Sequence, residues 1–594
     1  MPRRSVLRRA FAAIAVMGFL VAVLSRSVSA QINPPVPAPT GPVNPAIPAG
    51  VGPFATPSSA EGSPETGSSP AAEASPAGSP APGETALPAP GETTPAEGGA
   101  TPSPSPTPTP PPIVVLPATP AIEPGRTTVA RVNSAAGTIT ATPADPSIAT
   151  VTVDQLARTI AITGVAVGST IVTVGDSRGL TRDVSVRVAY DAGTIAPTLA
   201  LHVTGDPASV EFLRNTAIDA AEAAATLRPG ARIYVPTDAV AVHAPLPSDN
   251  HISIDVPVQI LGDAYITANG TTHIAIENDA LPKLAPGQLL VSDYPERLTA
   301  DGVLFTATID RTASQRFLYY HFNPGTEPPR RILVKATNSA ATPAVVHVMA
   351  ALAGPGANEM EVGHKATRAF LVRSRRNEGT IVTIPPGATV NIVNHNLPPN
   401  SVVNGIMQLR ELSGAPLNIA VVAQHADAPL DQSADAANLL AGGAPHARGV
   451  YPVPEFFSDY TFFTDSPPLE IPIGQLPLPN LREGEALSGD YGVMQSVRVV
   501  IVNTSRFGQA IALYANPRGG DATGTFIIDD TVVQAHRLTA FSRYKIWQET
   551  IAPGTYRSLR ITTMPEGGSS YPLRLVFAQD DGSVAPGAPG SPVY

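Results

Sequence analysis

The chain contains stretches with very different patterns of hydrophobic and polar residues. From about residue 113 onward, short runs such as TITATP, TIAITGV, STIVTVGD and RDVSVRVAY alternate apolar and polar positions, and Gly, Asp and Pro separate them. When apolar residues occupy every second position, one face of each run can pack on a core. The pattern therefore predicts β-strands joined by turns. We therefore expect a mainly β protein.

One segment departs from this pattern and predicts a helix. Asp206 is a suitable N-cap, Pro207 takes the first helical position, and apolar residues recur at helical spacing until RPG at 228–230. The strand-like sequences TLALHVTG and ARIYVP flank this helix. The stretch predicts a small β-α-β unit within residues 191–283.

Two later segments share an internal repeat. Three short sequences recur in the same order and at similar spacing, although the identity between the copies is low. The pairs are LVKATNS (333–339) and VVIVNTS (499–505), TIPPG (383–387) and TIAPG (550–554), and IAVVAQ (419–424) and RLVFAQ (574–579). Such repetition indicates duplicated structural units. We therefore expect two tandem β-sandwich domains, 284–427 and 450–582, joined by a linker of small residues at 428–449.

The first 112 residues lack the pattern of a folded domain. Four arginines precede an apolar run at 10–24, and SVSA follows it. These features predict an export signal, with residues 1–30 removed after transport. The alternative is an uncleaved membrane anchor, although the run is short for a bilayer span. Residues 31–112 are mostly Pro, Ala, Ser, Thr and Gly and predict a disordered spacer.

The segment at 113–190 carries a recognisable order of residues. DPSIATV (145–151) precedes GVAVGSTIVTV (164–174), and Asp176 and Gly179 follow. This order resembles two related module types, the pilus-formation N-terminal domain that precedes the channel of some bacterial secretins and the bacterial Ig-like domain of surface adhesins. The resemblance implies a β-sandwich in the cell envelope or outside the cell, and it transfers no catalytic residue.

Composition and charge exclude several classes of function. The formal net charge is −10, and an acidic chain repels phosphate backbones, so we expect no nucleic-acid partner. The absence of cysteine excludes disulfides, thiolate nucleophiles and cysteine-ligated metals. GPG at 354–356 lacks the further Gly and the Lys of a phosphate-binding loop. We assign no catalytic residue and expect no enzymatic activity.

Histidines and acidic turns leave two metal sites open as alternatives. The eleven histidines are scattered, and His347 and Met349 alternate as they would on a strand. A copper site could combine these two residues with His321 or His364. Calcium could bind the acidic turns Asp529–Asp530 and Asp580–Asp581. Because ordinary strand histidines and solvated turns explain both patterns, we assign no metal site and no cofactor.

Two segments are candidate binding surfaces. PEFFSDYTFF (454–463) concentrates aromatic residues, and RAFLVRSRRNEG (368–379) is the densest positive cluster. The aromatic segment either binds a sugar or protein from an exposed position or packs between the two repeated domains. The basic cluster either binds an anionic glycan or lipid headgroup or protects a strand edge. We place the sole tryptophan, Trp547, in a core. The candidate ligand-binding residues are Phe456, Phe457, Tyr460, Phe462, Arg373, Arg375 and Arg376.

Together these features predict an exported, non-enzymatic binding or structural protein of the cell envelope or extracellular space. Its fold is expected to comprise an Ig-like β-sandwich module, a small β-α-β unit and two tandem β-sandwich domains, with a tail at 583–594. We expect a protein or glycan partner at the cell surface. Contact with a membrane is expected only through an uncleaved N-terminal segment. The alternative function is an accessory component of a pilus or secretin-type secretion apparatus.

Overall fold

The computed structural model describes residues 109–430, 439–440, 447–482 and 484–583. The predicted export signal, nearly all of the Pro-rich spacer, most of the predicted linker and nearly all of the tail lie outside these residues. Within them the chain is mainly β with two α-helices, which confirms the predicted fold class. No helix of this described part is long and apolar enough to cross a membrane.

An Ig-like β-sandwich, here called the N-terminal sandwich, opens the described chain. Its strands are β1 (Val114–Leu116), β2 (Ala121–Ile122), β3 (Thr127–Asn133), β4 (Thr140–Pro143), β5 (Ala149–Asp154), β6 (Thr159–Gly164), β7 (Gly168–Gly175) and β8 (Thr181–Val188). They form two four-stranded sheets, β1-β3-β6-β5 and β2-β8-β7-β4. In β7 every second side chain (Thr170, Val172 and Val174) is buried, as the alternating sequence predicts.

The predicted β-α-β unit follows the N-terminal sandwich. Its elements are β9 (Gly193–Thr194), β10 (Thr198–Thr204), α1 (Val210–Ala224), β11 (Thr226–Leu227), β12 (Arg232–Tyr234), a 3-10 helix (Thr237–Ala239), β13 (Asn250–Leu261) and β14 (Ala268–Asn278). The helix starts later than predicted, because Ser209 rather than Asp206 is the N-cap. The Ser209 hydroxyl accepts a hydrogen bond from the N–H of Phe212 at 3.3 Å.

The next segment, here called the middle sandwich, shares a sheet with this unit. Its strands are β15 (Pro286–Ser292), β16 (Gly302–Ile309), β17 (Ser314–Asn323), β18 (Arg330–Thr337), β19 (Ala344–Gly356), β20 (Gly379–Ile384), β21 (Thr389–Leu397), β22 (Ser401–Ser413), β23 (Leu417–His425) and β24 (Arg448–Tyr451). Because β10 pairs with β20, one ten-stranded sheet runs β12-β13-β14-β10-β20-β19-β22-β17-β15-β24. The expected boundary at residue 283 therefore falls inside one sheet. A second sheet, β16-β23-β18-β21, covers its middle part.

The last segment, here called the C-terminal sandwich, has nine strands. They are β25 (Glu455–Phe463), β26 (Leu469–Ile473), β27 (Met494–Val502), β28 (Gln509–Pro517), β29 (Ala522–Ile528), β30 (Thr531–Leu538), β31 (Tyr544–Ile551), β32 (Tyr556–Thr563) and β33 (Leu573–Gln579). They form the sheets β25-β27-β32-β29-β30 and β26-β33-β28-β31 around one apolar core.

Two of the three repeated sequences occupy equivalent positions in the middle and C-terminal sandwiches. The buried side-chain amides of Asn338 and Asn503 each donate to the backbone of the repeated turn. Asn338 Nδ2 reaches the carbonyls of Ile384 (3.1 Å) and Pro385 (3.3 Å) in TIPPG. Asn503 Nδ2 reaches the carbonyls at the same two positions of TIAPG, Ile551 (2.9 Å) and Ala552 (3.2 Å). The resemblance between the copies therefore has a physical cause, a shared asparagine clamp on one turn.

The third repeated sequence does not occupy equivalent positions, so that part of the repeat is wrong. IAVVAQ lies in β23, which pairs with β18, whereas RLVFAQ lies in β33, which pairs with β28 in the other sheet. By strand order β33 corresponds to β22, because β22 pairs with β19 as β33 pairs with β28. Two apolar strands of similar composition can enter different sheets, since alternation alone does not select a partner.

The copies differ by what each inserts between equivalent strands. The middle sandwich places helix α2 (Glu359–Arg376) between β19 and β20, and the C-terminal sandwich places the hairpin β29–β30 between β28 and β31. The two insertions pack against each other: Val362 and Phe370 of α2 share an apolar cluster with Ile527 of β29. This cluster covers the face of the ten-stranded sheet that the middle-sandwich core leaves open.

A buried polar pair lies within this contact. His364 Nδ1 of α2 donates to Glu566 Oε2 at 2.9 Å, and its Nε2 faces Gln534 Oε1 at 3.3 Å. Burial opposes a charge on the imidazole, but the hydrogen bond and negative charge of Glu566 outweigh it and raise the pKa of His364. The middle and C-terminal sandwiches are thus joined by an apolar cluster with a polar pair inside it.

Candidate functional site

The aromatic segment forms strand β25, and the strand divides its side chains between two faces. Tyr460 and Phe462 point inward to the core of the C-terminal sandwich, and Phe456 packs against the cluster around α2. Phe457 and Phe463 point outward and are 75% and 46% exposed. Of the candidate residues, Phe456, Tyr460 and Phe462 are therefore packing residues at least in part, whereas Phe457 is open to a ligand.

The outward side of β25, β27 and β32 is here called the aromatic face. Strand register places Phe463 beside Val502, and Val502 beside Tyr556, which is 72% exposed. Phe457 lies six residues from Phe463 along β25, so the strand rise separates them by about 20 Å. Two strand spacings separate Phe463 from Tyr556 by about 10 Å. Phe463 belongs to the predicted aromatic segment but is not among the predicted ligand-binding residues, and sequence reasoning missed Tyr556 altogether.

A charged row crosses the middle of the aromatic face. Asp459 lies opposite Arg498, and Arg498 lies opposite Arg560. The Nε of Arg498 donates to Asp459 Oδ1 at 2.6 Å, and both side chains are more than half exposed. The face therefore offers aromatic side chains at its two ends and hydrogen-bonding groups between them.

The asparagine clamp shapes the Phe463 end of the aromatic face. Phe463 is followed by Thr464, whose hydroxyl donates to Asn503 Oδ1 at 3.3 Å. The Asn503 amide also donates to the carbonyl of Phe507 at 2.8 Å, and the Phe507 side chain is 65% exposed. A third exposed phenylalanine thus lies in the loop beside this end. Arg506 stacks its guanidinium 5.5 Å from the Phe507 ring centre.

Trp547 lines a pocket rather than lying wholly in a core. It is half-buried, packs against the core of the C-terminal sandwich and contributes to a cavity of about 250 Å³. Arg557 lies in the same pocket and donates to Asp529 Oδ2 at 2.5 Å and to Glu549 Oε2 at 3.0 Å. These two hydrogen bonds raise the pKa of Arg557. The pocket lies behind β32, whose residue Tyr556 belongs to the aromatic face.

The basic cluster lies in helix α2, so the interpretation as a strand edge is wrong. Arg373 donates to the carbonyl of Ala350, and its guanidinium lies 5.6 Å from the ring centre of Phe212. Burial lowers the pKa of Arg373. Arg375 pairs with Asp530, and Arg376 Nη1 lies 3.8 Å from Glu378 Oε1. Each of the three candidate arginines thus has a partner inside the chain, and binding of an anionic ligand there stays a prediction.

The residues considered for copper do not converge on one site. His347 Nε2 contacts the hydroxyl of Thr204 at 2.8 Å, and His321 Nε2 contacts that of Ser292 at 3.1 Å. Strand register places His321 beside Val403 and His347 beside Arg410, seven positions further along the same strand, which is about 23 Å. His364 is engaged with Glu566.

The acidic turns considered for calcium pair with neighbouring groups. Asp529 binds Arg557, and Asp530 binds Arg375. Asp580 binds the buried Lys545. Hydrogen bonds from Ser583 contribute most to lowering the pKa of Asp581 to about 2. Contacts within the chain therefore explain the positions of these carboxylates without a calcium ion.

Two short sequences match catalytic-serine patterns by their letters, but their surroundings differ from such sites. GDSRG (175–179) is the turn between β7 and β8, where Ser177 accepts a hydrogen bond from the N–H of Thr138 at 2.8 Å. In SRYK (542–545) the Ser542 hydroxyl donates to the carbonyl of Thr539 at 2.6 Å, while Lys545 binds Asp580. Neither sequence places its serine at a strand-to-helix turn or beside a base.

Comparison with known proteins finds similarity only among solved structures. No protein-family model matches the chain, and no curated protein matches its sequence. The N-terminal Ig1-2 module of the Drosophila receptor protein tyrosine phosphatase DLAR is 10% identical at a TM-score of 0.13, covering 28% of this chain and 99% of that one. Human mucin-like protocadherin EC1-2 is 8% identical at a TM-score of 0.11, covering 28% and 98%. Bacteroides ovatus SGBP-B, solved with a mixed-linkage heptasaccharide, is 12% identical at a TM-score of 0.11, covering 48% and 70%. These similarities assign no ligand or activity to the chain.

Proposed function

We propose that the chain is an exported, non-enzymatic protein that binds a carbohydrate polymer at the cell surface or outside the cell. The observation that carries this proposal is the aromatic face, on which Phe457, Phe463 and Tyr556 are exposed together. Aromatic rings present flat apolar surfaces, and the C–H faces of sugar rings pack on such surfaces. Export is supported by the N-terminal sequence pattern, which lies outside the described residues.

The distribution of charge favours a carbohydrate over a protein partner. The cores of protein–protein interfaces are mostly apolar and depleted in aspartate, although arginine is enriched there. The aromatic face instead carries an ion pair, Asp459 with Arg498, and a second arginine, Arg560, across its middle. A glycan offers hydroxyl groups to such a row while its sugar faces stack on the aromatic rings at either side. An interacting protein would have to bury these charges at considerable cost.

Binding to polysaccharides tests the proposal directly. The full chain is incubated with a panel of insoluble and soluble polysaccharides, and the bound fraction is compared with that of Phe457→Ala, Phe463→Ala and Tyr556→Ala variants. Each substitution is expected to weaken binding about tenfold, because each removes the contact of one aromatic ring.

The matched control is Phe541→Ala. Phe541 is 68% exposed in the loop between β30 and β31 of the same sandwich, away from the aromatic face. We expect its binding to equal that of the unmodified chain. Binding to a protein with no polysaccharide bound, or polysaccharide binding that all three face variants retain, would overturn the proposal.

A further inference from the structure

Register in the ten-stranded sheet brings together residues that are far apart in sequence. β10, β14 and β13 are adjacent strands, with His202 directly opposite Glu277 and Glu277 directly opposite His251. The alternating residues of these strands, including Val203 and Ile276, form the core under α1. His202, Glu277 and His251 therefore lie on the other face of the sheet, where none of them is buried.

Asp279 completes the group from the end of β14. Its backbone N–H donates to the carbonyl of Val203 at 2.8 Å, which holds the residue over β10. His202 Nδ1 lies 2.9 Å from Asp279 Oδ2 and 3.7 Å from Glu277 Oε2. The three ligand atoms all lie within 4.8 Å of one another. The side chains of His202, Asp279 and Glu277 are 25%, 40% and 60% exposed, so the group is accessible from solvent.

We propose that His202, Glu277 and Asp279 bind one divalent transition-metal ion of the zinc class. The ring of His251 lies outside this group of ligand atoms, and its exposed side chain, opposite Glu277, would turn toward the ion as the fourth ligand. Bonds of 2.0–2.2 Å in a tetrahedral site place neighbouring ligand atoms about 3.4 Å apart, and the two distances from His202 Nδ1 lie on either side of that value. An imidazole with carboxylates suits zinc, whereas calcium and magnesium prefer oxygen ligands alone. The bound ion would tie β10, β14 and β13 together on their open face.

A second histidine on the same face provides a matched comparison. His273 of β14 lies opposite Asp255 of β13, and His273 Nδ1 contacts Asp255 Oδ1 at 2.7 Å. Among the described residues no third His, Asp or Glu completes this pair to a group of ligands. His273 therefore reproduces the histidine–carboxylate contact without the further carboxylate of the proposed site.

Calorimetric titration of the full, tag-free chain with Zn²⁺ tests the site. The unmodified chain is expected to bind one high-affinity Zn²⁺ that raises the melting temperature. Outer-shell substitutions at zinc sites cost about 10–100-fold in affinity, so His202→Ala and Glu277→Gln, which remove direct ligands, are expected to cost at least about 100-fold. His251→Ala is expected to cost at least about tenfold, and His273→Ala is expected to leave affinity unchanged. Melting temperatures without metal show that each variant is folded.

Several outcomes would overturn the site. One is the absence of Zn²⁺ binding at micromolar metal, and another is Zn²⁺ binding that His202→Ala and Glu277→Gln both retain. Equal losses of Zn²⁺ affinity in His202→Ala and His273→Ala would show that the binding is not specific to the proposed site. Ca²⁺ binding that needs Glu277 but not His202 would contradict the assigned class of metal. Unchanged affinity in His251→Ala would remove His251 from the ligand set.

Discussion

At the scale of single residues, Asn338 and Asn503 explain why two sequences of low identity build related domains. Each side chain is almost completely buried, and the two N–H groups of each amide are shared among three backbone carbonyls of a loop and a turn. The side-chain oxygen of each also accepts from the backbone N–H two residues later, at Ala340 and Ser505. The repeat was visible in the sequence because this clamp needs asparagine and tolerates few alternatives.

Replacing either clamp residue should destabilise its own sandwich. Asn338→Ala or Asn503→Ala leaves buried carbonyl groups without donors, and we expect a loss of about 2–4 kcal/mol in the free energy of unfolding. Urea denaturation of the full chain measures it. Asn396→Ala, on an exposed position of β21, is the control and should change stability by less than about 0.5 kcal/mol. A loss of stability no larger than that of Asn396→Ala would show that the two asparagine clamps contribute little to stability.

The candidate binding residues were only partly predictable at this scale. A period of two along 456–463 places Phe457 and Phe463 on one side of a strand and Phe456, Tyr460 and Phe462 on the other. That separation was available from the sequence, although which side faces solvent was not. Tyr556 could not be associated with this segment, because its position beside Val502 depends on pairing between strands about fifty residues apart.

At the scale of elements, the two insertions decide how the middle and C-terminal sandwiches meet. Helix α2 was missed, although Val362, Ala366 and Phe370 recur every four residues and Asn358 caps the helix. Its basic last turn suggested a strand edge instead, but positive residues there are favourable because they complement the helix dipole. The sequence therefore contains the signal of a helix, and its positive charges belong to the C-terminal turn of that helix.

A single glycine permits the close contact between α2 and the C-terminal sandwich. A Cβ on Gly363 would overlap the carbonyl oxygen of Gly567. Alanine favours a helix over glycine by about 1 kcal/mol, so Gly363→Ala would stabilise an isolated helix. In the protein we expect the opposite sign, a loss of about 1–3 kcal/mol from the strained contact.

Thermal unfolding of the full chain measures this change. Lys365→Ala is the control, because Lys365 is exposed on α2 and pairs with Glu361 at the surface. It should change the free energy of unfolding by less than about 1 kcal/mol. A gain of stability in Gly363→Ala would contradict the packing of α2 against the loop that contains Gly567.

At the scale of the whole molecule, the ten-stranded sheet joins the β-α-β unit to the middle sandwich. The strands themselves were predictable from alternation and turn residues, and the boundary between domains was placed where the repeated segments begin. The pairing of β10 with β20, residues 204 and 379, has no local signal in the sequence. The group around His202 was not predictable for the same reason, because its residues lie on three strands whose register has no local signal in the sequence.

The interface over this sheet also predicts a dependence of stability on pH. Asp490 is 3% exposed beside that interface, and burial raises its pKa to about 7. Because the folded pKa exceeds the unfolded value, the folded state binds the proton more tightly, and stability falls as pH rises from about 4 to about 7. Asp490→Asn removes this effect.

The free energy of unfolding of Asp490→Asn, relative to that of the unmodified chain, should therefore increase by about 2–3 kcal/mol between pH 5 and pH 8. Denaturation of both proteins at the two pH values measures the difference. If Asp490→Asn changed stability equally at both pH values, or lowered it at pH 8, the result would contradict a buried carboxyl that resists ionisation.

We propose that the aromatic face binds a carbohydrate polymer along its length. The most direct measurement is the affinity of the full chain for one glycan at increasing oligosaccharide length. We predict that affinity rises until the glycan spans the distance of about 20 Å between Phe457 and Phe463, and that Phe463→Ala removes most of this rise. An affinity that is independent of length, or a rise that Phe463→Ala leaves intact, would contradict the claim.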